Sequence, residues 1–411
     1  MISIQQALDA IDRCVQPLGV ETVGLASAVG RRLASPLISD VDSPPHDKSL
    51  MDGFAVRAQD LTQPDTRFTI VETIRAGDIP CQNIGTNQAA RIMTGAPIPM
   101  GADSVVMRER VSAEGETNGL KWVQFEAEHL PPGHHVLPRG ASMTKGELVL
   151  PAGHVVRPVD VAVMAEIGCA KANVYQTPSV AILATGNELV ACQELSGPGQ
   201  IRNSNGPMLC CLASRHVSHI ADLGIATDDY QDLKGRCGAG LENDLLVISG
   251  GVSEGIADLV PHVLTDLGVR CEFHKVSIKP GKPIWFGTRQ HQGRTQYVFG
   301  LPGNPLSALI CFRLFVTACI NKLSGGQASW PTMNPARLTI PHSVRGPRPT
   351  FWPVSADVGK DAVCQITPLI WQGSSDVRCL AEADGWGYFP PAEDPYAAGT
   401  SVPYLPIENR C

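Results

Sequence analysis

The chain has 411 residues, with 33 Lys plus Arg against 40 Asp plus Glu and a net charge of -7. That length suits several domains of about 150 residues, each able to bury its own core, and the acidic balance removes the footprint of a general nucleic-acid binder. Apolar (43%) and charged (18%) residues stand at ordinary globular levels, which excludes a disordered or fibrous chain. The 13 cysteines are odd in number and contain no Cys-x-x-Cys pair, the pattern of free thiols in a reducing compartment, so the cytoplasm is expected. His216 and His219 lack a third ligand nearby, and no zinc site is expected. The N-terminus has no basic start, and no continuous apolar stretch reaches membrane-spanning length, so neither a signal peptide nor a membrane partner is expected.

Ser3 and Gln6 have capping-box spacing, and Ile4, Leu8, Ile11 and Val15 then share one helical face, so the chain opens with an amphipathic helix ending near Pro17 and Gly19. Between about 40 and 139, short apolar runs (Phe68 to Ile74, Ala90 to Met93, Ser104 to Met107, Trp122 to Phe125) alternate with Gly, Pro and Asp, which predicts a β-rich unit. Glu147 to Leu150 reads as a strand and Pro158 to Ile167 as a helix. With the opening helix they predict an elongated N-terminal domain (1–45 plus 140–178) into which a β-rich domain (46–139) is inserted. From Ser179 the rhythm changes. Val180 to Ala184, Val217 to Ile225, Leu245 to Ile248 and Tyr297 to Phe299 are apolar runs, most followed by a glycine turn and a helical stretch. This is the signature of a parallel α/β sheet buried on both faces, here 179–328. The Pro-rich remainder, 329–411, breaks into short strands and predicts a small β-barrel.

In an open α/β sheet the ligand site lies beyond the carboxyl ends of the strands. Four loops fall there: Ala184 to Leu189, Thr227 to Asp229, Ser249 to Gly255 and Gly300 to Pro305. Gly250 and Gly251 let backbone N–H groups approach an anion, Ser253 adds a hydroxyl, and Asn304-Pro305 starts a helix as N-cap and first residue. Glu188, Asp228 and Asp258 sit in or just after these loops, placed either to cap helices or to converge on a magnesium ion, which prefers oxygen ligands. Lys275 to Lys279 alternate as a strand would, with Lys275, Ser277 and Lys279 on one face and Lys282 in the turn behind. The pattern fits solvated edge lysines or a positioned cation cluster.

At these loops, and in Ser49-Leu50-Met51-Asp52-Gly53-Phe54-Ala55-Val56, Arg91-Ile92-Met93-Thr94-Gly95-Ala96-Pro97 and Ile278-Lys279-Pro280-Gly281-Lys282-Pro283, the chain resembles the molybdopterin molybdenumtransferase family, which includes bacterial MoeA and the C-terminal domain of gephyrin. The resemblance implies an elongated homodimer whose α/β domain binds molybdopterin. It also implies an enzyme that cleaves adenylylated molybdopterin, releases AMP and inserts molybdenum from molybdate with Mg2+. A molybdopterin adenylyltransferase and acceptor molybdoenzymes are the implied further partners. By position, Ser253 and Asp258 would hold the adenylate and its metal, Asp228 would join them as a catalytic and metal-binding acid, and Glu188, Gly250 and Gly251 would line the pocket. Lys279, Lys282 and Ser374 would bind molybdate, Lys275 would face the pterin or pyrophosphate, and Asp52 and Thr94 would come from the other protomer.

The departures lie at these same places. The family's Arg-Gly-Glu-Asp reads Arg139-Gly140-Ala141-Ser142, its Thr-Gly-Asp-Glu-Leu reads Thr185-Gly186-Asn187-Glu188-Leu189, and Leu259 follows Asp258 where an aromatic is frequent. Its strand Phe-x-Arg reads Phe351-Trp352-Pro353, so the molybdate arginine is missing, with Arg348 and Arg378 the guanidinium candidates nearby. These changes keep a second reading open, a catalytically weakened paralogue that binds or delivers molybdopterin or the finished cofactor. A scaffold of the gephyrin kind has no legible receptor-binding feature.

Overall fold

A computed structural model describes residues 1–63, 66–126, 129–217, 219–252 and 259–407. The chain divides into two units, one made of Met1–Thr22 with Asn173–Cys411 and the other of Val23–Ala172.

The first unit is built on a six-stranded sheet. Its strands are β1 (Ser179–Thr185), β2 (His219–Ala226), β3 (Leu245–Ser249), β4 (Arg270–His274), β5 (Trp285–His291) and β6 (Arg294–Leu301), in the spatial order β2-β1-β3-β6-β5-β4. Alternation sends Val180, Ile182, Leu245, Val247 and Phe299 into one core and Ala181, Leu183, Leu246, Ile248 and Val298 into another. Burial on both faces is why these strands read as unbroken apolar runs. The expected parallel pattern holds for β2, β1, β3 and β6. It stops there, because β5 and β6 form a hairpin whose two-residue turn, Gln292-Gly293, has φ of 50° and 76°. Such a turn can join only antiparallel strands, so β5 and β4 complete a mixed sheet.

The opening helix, Ile4–Cys14, carries the expected capping box. The expectation that it belongs with 1–45 and 140–178 is corrected: Ile4, Leu8, Ile11 and Val15 pack in the same core as Val180, Val247 and the apolar helix Pro305–Leu323. An amphipathic stripe must be covered by some apolar surface, and its sequence does not say which. Polar contacts fix the choice, since Asp12 pairs with Lys322 at 2.9 Å and accepts the Ala328 N–H at 3.0 Å. The helix Pro305–Leu323 is long and apolar enough to cross a membrane by composition, yet most of it is buried in this core.

The end of the chain closes the predicted barrel. Asn334–Leu338, Cys364–Pro368, Thr350–Val358, Gly385–Phe389 and Ser401–Pro406 pair in that order, and the last returns to the first. Closure leaves no free strand edge, and Leu338, Val354, Ile366, Phe389 and Val402 fill the inside.

The second unit holds a separate six-stranded sheet in the order Ser104–Met107, Gly53–Val56, Gln88–Ile92, Arg67–Ile74, Leu120–Phe125, Val111–Thr117. Within this unit the segments before and after the sheet run antiparallel, pairing Arg32 with Val155, Leu37–Ile38 with Leu148–Leu150, and Ser43 with Met143. Asp160, buried at the start of the helix Asp160–Glu166, accepts from Arg157 and lies 2.6 Å from His154. The Arg157 hydrogen bonds hold its carboxyl well below the usual carboxylate range.

The placement of the first helix can be tested. Leu8→Ala should destabilise the α/β unit by about 2–5 kcal/mol, because Leu8 is fully buried in its core. Five of the six tryptophans lie in that unit, so urea unfolding followed by tryptophan fluorescence reads it directly. An unchanged fluorescence midpoint would return the helix to the other unit.

Candidate functional site

Strand register brings the four loops together. Thr185 is paired with Ala226, Ala184 with Ser249, and Ser249 with Leu301, so four parallel strands end abreast. Beyond that edge lies a cavity of about 690 Å³ lined by Gly186, Glu188, Asp228, Gly250 and Gly251, together with Pro302, Gly303 and Asn304.

The glycines are there for close approach. Gly250 has φ of 101°, and a Cβ on it would lie 2.4 Å from Thr185 O; one on Gly251 would lie 2.7 Å from Val260 Cγ2. The Gly250 N–H is already committed to Leu301 O at 3.0 Å, so this glycine shapes the cradle and does not donate to a ligand. A Cβ at Gly186 would lie 2.5 Å from Glu188 Oε2, which shows the Glu188 carboxylate folded back over the loop.

Asp228 is held by the loop that precedes it in sequence. Its N–H donates to Asn187 Oδ1 at 3.0 Å, while Asn187 N–H and Thr185 Oγ1 donate to its carboxylate at 3.3 and 3.4 Å. The substituted Asn187 therefore still supplies the acceptor that an aspartate would, with one negative charge fewer beside Asp228. Those bonds to the carboxylate are long and leave its oxygens available. Among the described residues no three acidic, His or Cys side chains cluster as a metal site. Mg2+ is nevertheless compatible with this donor set, because it needs only one or two carboxylates when substrate phosphates supply other ligands. Ser253 and Asp258 lie outside the described residues.

The segment 202–205 also lines this cavity, a contribution that the sequence reading missed. Asn205, 7% exposed, donates through Nδ2 to Ser249 Oγ at 2.8 Å and to Gly303 O at 2.7 Å, tying the loops after β3 and β6 to the helix Asn205–Ala213. The signal available was Asn203-Ser204-Asn205 just before a helical run.

A second cavity of about 520 Å³ contains Lys279, Lys282 and Ser374 together, as expected. Pro283, Pro302 and Asn304 line both cavities, so the two lie side by side. As expected, Asn304 is the N-cap of the helix Pro305–Cys311 and Pro305 opens it, although the Asn304 side chain makes no capping bond; Asn304 Nδ2 instead donates to Ser374 Oγ at 2.9 Å. The expected lysine strand is corrected. Lys275 to Lys279 do not form a ladder strand. Lys275 has φ of 69°, and the segment is held by single bridges from Val276 to Ile2 and from Lys279 to Thr350. The predicted alternation survives as burial, with Val276 and Ile278 inside and both lysines half-exposed. Lys275 lines neither cavity.

In the other unit, Asp52 and Thr94 meet as a pair. Thr94 donates to Asp52 Oδ1 through its N–H at 2.6 Å and its hydroxyl at 2.8 Å. The backbone bond, then the hydroxyl, lowers the Asp52 pKa and keeps this exposed carboxylate ionised.

Comparison with known proteins agrees with this architecture. Residues 2–168 match the MoeA N-terminal region (domain I and II), 181–322 a probable molybdopterin binding domain, and 335–407 the MoeA C-terminal region (domain IV). A molybdopterin molybdenumtransferase of Staphylococcus epidermidis is 31% identical over 414 residues, covering 100% of this chain and 96% of that protein. One from Staphylococcus aureus is 30% identical, covering 99% and 96%. The crystal structure of the molybdopterin biosynthesis MoeA protein of Pyrococcus horikoshii superposes with a TM-score of 0.80 at 29% identity, covering all of both chains.

The cradle geometry makes a direct prediction. Gly250→Ala forces a Cβ against Thr185 O at an unfavourable φ and should cost about 2–4 kcal/mol in a thermal or urea melt. Gly235→Ala, in a helix with open space around it, is the control and should be neutral or stabilising. Equal stability of Gly250→Ala and wild type would show that the loop approach is not tight.

Proposed function

Because the chain belongs to the molybdopterin molybdenumtransferase family, we propose that it inserts molybdenum from molybdate into adenylylated molybdopterin and releases AMP. One observation carries this reading: a glycine-rich cavity bearing carboxylates shares a wall with a cavity bearing lysines and, among the described residues, no acid. A substrate with an anionic bridge can lie across both while an oxyanion waits in the second.

In the first cavity Asp228 and Glu188 face the adenylate, with Gly250 and Gly251 letting it approach the strand ends. Ser253 and Asp258 join them by their place in the motif. Asp228 and Asp258 would hold Mg2+, which when bound would supply charge screening for the substrate phosphates. In the second cavity Lys279 and Lys282 hold molybdate, with the Ser374 hydroxyl oriented by Asn304. Lys275 is assigned to the pterin or pyrophosphate end by its motif alone. Asp52 and Thr94 act from the second subunit of a homodimer. Every described cysteine is a free thiol, which supports a cytoplasmic setting. The carrier reading is not favoured: the acid lost at Asn187 is replaced by an equivalent acceptor, and the relatives that match nearly end to end are named as transferases.

Incubation with adenylylated molybdopterin, Mg2+ and molybdate should release AMP, followed by chromatography. Asp228→Ala should slow that release by about 100-fold or more, as loss of a key electrostatic group does. Binding of the adenylylated substrate with no AMP released by the wild type would sink the enzymatic reading. Light scattering should give twice the 43.8 kDa chain mass. A monomer that turns over at full rate would remove Asp52 and Thr94 from the site.

A further inference from the structure

We propose that Arg348 is the oxyanion-binding arginine of the lysine cavity, supplying from the segment before the barrel strand Thr350–Val358 the guanidinium that the strand itself lacks. The proposal rests on the reading that this cavity takes molybdate, and it names the residue that gives the cavity its preference for a tetrahedral dianion.

Arg348 lines the same cavity as Lys279 and Lys282, and among the described residues the lining contains no Asp or Glu. Among the described residues none of these three cations forms an ion pair. Like charges gathered in one cavity repel one another, and a multivalent anion relieves that repulsion. The guanidinium is also held in place. Arg348 Nη1 donates to Ile278 O at 2.9 Å, one residue from Lys279. Lys279 N–H donates to Pro349 O at 2.9 Å, and Phe351 N–H donates to Lys279 O at 2.8 Å. The segments carrying the arginine and the first lysine are therefore hydrogen-bonded side by side. One of the five guanidinium donors is used, and the others remain for a ligand.

The alternatives fall away on position. Pro353, where the strand arginine is expected, is buried and lines neither cavity, so a Pro353→Arg substitution would force a charge into packed surroundings. The strand residue that reaches the cavity is Trp352, whose ring meets Trp371 edge-on at 4.9 Å. Arg378 stands on the helix Val377–Glu382 with its side chain 89% exposed and pairs with Glu382 at 3.7 Å. Two lysines act as point charges, whereas an arginine adds a planar fork of donors that matches two oxygens of a tetrahedral oxyanion.

The test is calorimetric titration of the full-length protein with sodium molybdate at low and physiological salt. Arg348→Gln keeps an amide donor for Ile278 O while removing the charge, and should weaken binding by about 10-fold or more, with a shallower salt dependence. Arg348→Lys should fall between, and Arg378→Ala should bind like wild type. If Lys279→Ala and Lys282→Ala weaken binding but Arg348→Gln stays within about twofold of wild type, Arg348 is overturned while the cavity assignment stands. If none of the three changes binding, the cavity assignment fails and takes this proposal with it. Should Arg348→Gln not fold, Arg348→Lys decides: binding equal to wild type would show that the fork is not needed.

Discussion

A sheet buried on both faces has nowhere along its strands to carry polar chemistry, so that chemistry is confined to the line where the strands end. Every group in the first cavity follows from this constraint. Thr185, Ala226, Ser249 and Leu301 finish abreast, and the chain can turn polar only past that line. The turns are tight because neighbouring loops nearly touch. Gly250 passes so close to Thr185 O that no side chain fits, and Asn205 bolts the loops after β3 and β6 to the helix beside them.

The second cavity has a different origin. It forms where the segment after β4 is clamped between the start of the chain, at Ile2, and the barrel strand Thr350–Val358, at Thr350. That clamp turns a short stretch with two lysines into a fixed cationic surface, and the barrel adds the indole wall. The charges differ between the cavities: Glu188, Asp228 and Arg202 sit on the loop side, and Lys279, Lys282 and Arg348 on the barrel side, with Pro283, Pro302 and Asn304 common to both.

The departures from the family pattern read differently in three dimensions. Asn187 keeps the hydrogen bond to the Asp228 backbone and gives up only a charge. Leu259 packs against the core behind the sheet, as a larger apolar residue would. Arg348 offers the missing guanidinium from another stretch of chain. Each change looks like a loss when motifs are compared letter by letter, because a motif records which residue stands at a position and not which atom reaches a place.

The sequence alone determined the helix cap, the four parallel strands of the α/β sheet, the barrel class and the four loops, and it named the candidate site residues whose roles are proposed above. These depend on periodicity, turn chemistry and short-range spacing, which are local properties of the chain. It did not decide where the first helix packs, because an amphipathic stripe names the need for a partner and not the partner. It did not show that β5 and β4 run antiparallel, since the Gln292-Gly293 turn went unread. Nor did it show that Lys275 leaves the lysine row while Arg348 joins it. Those outcomes depend on contacts between residues far apart in the chain, such as Ile278 with Arg348 and Asp12 with Lys322, and only the tertiary structure brings them within hydrogen-bonding distance.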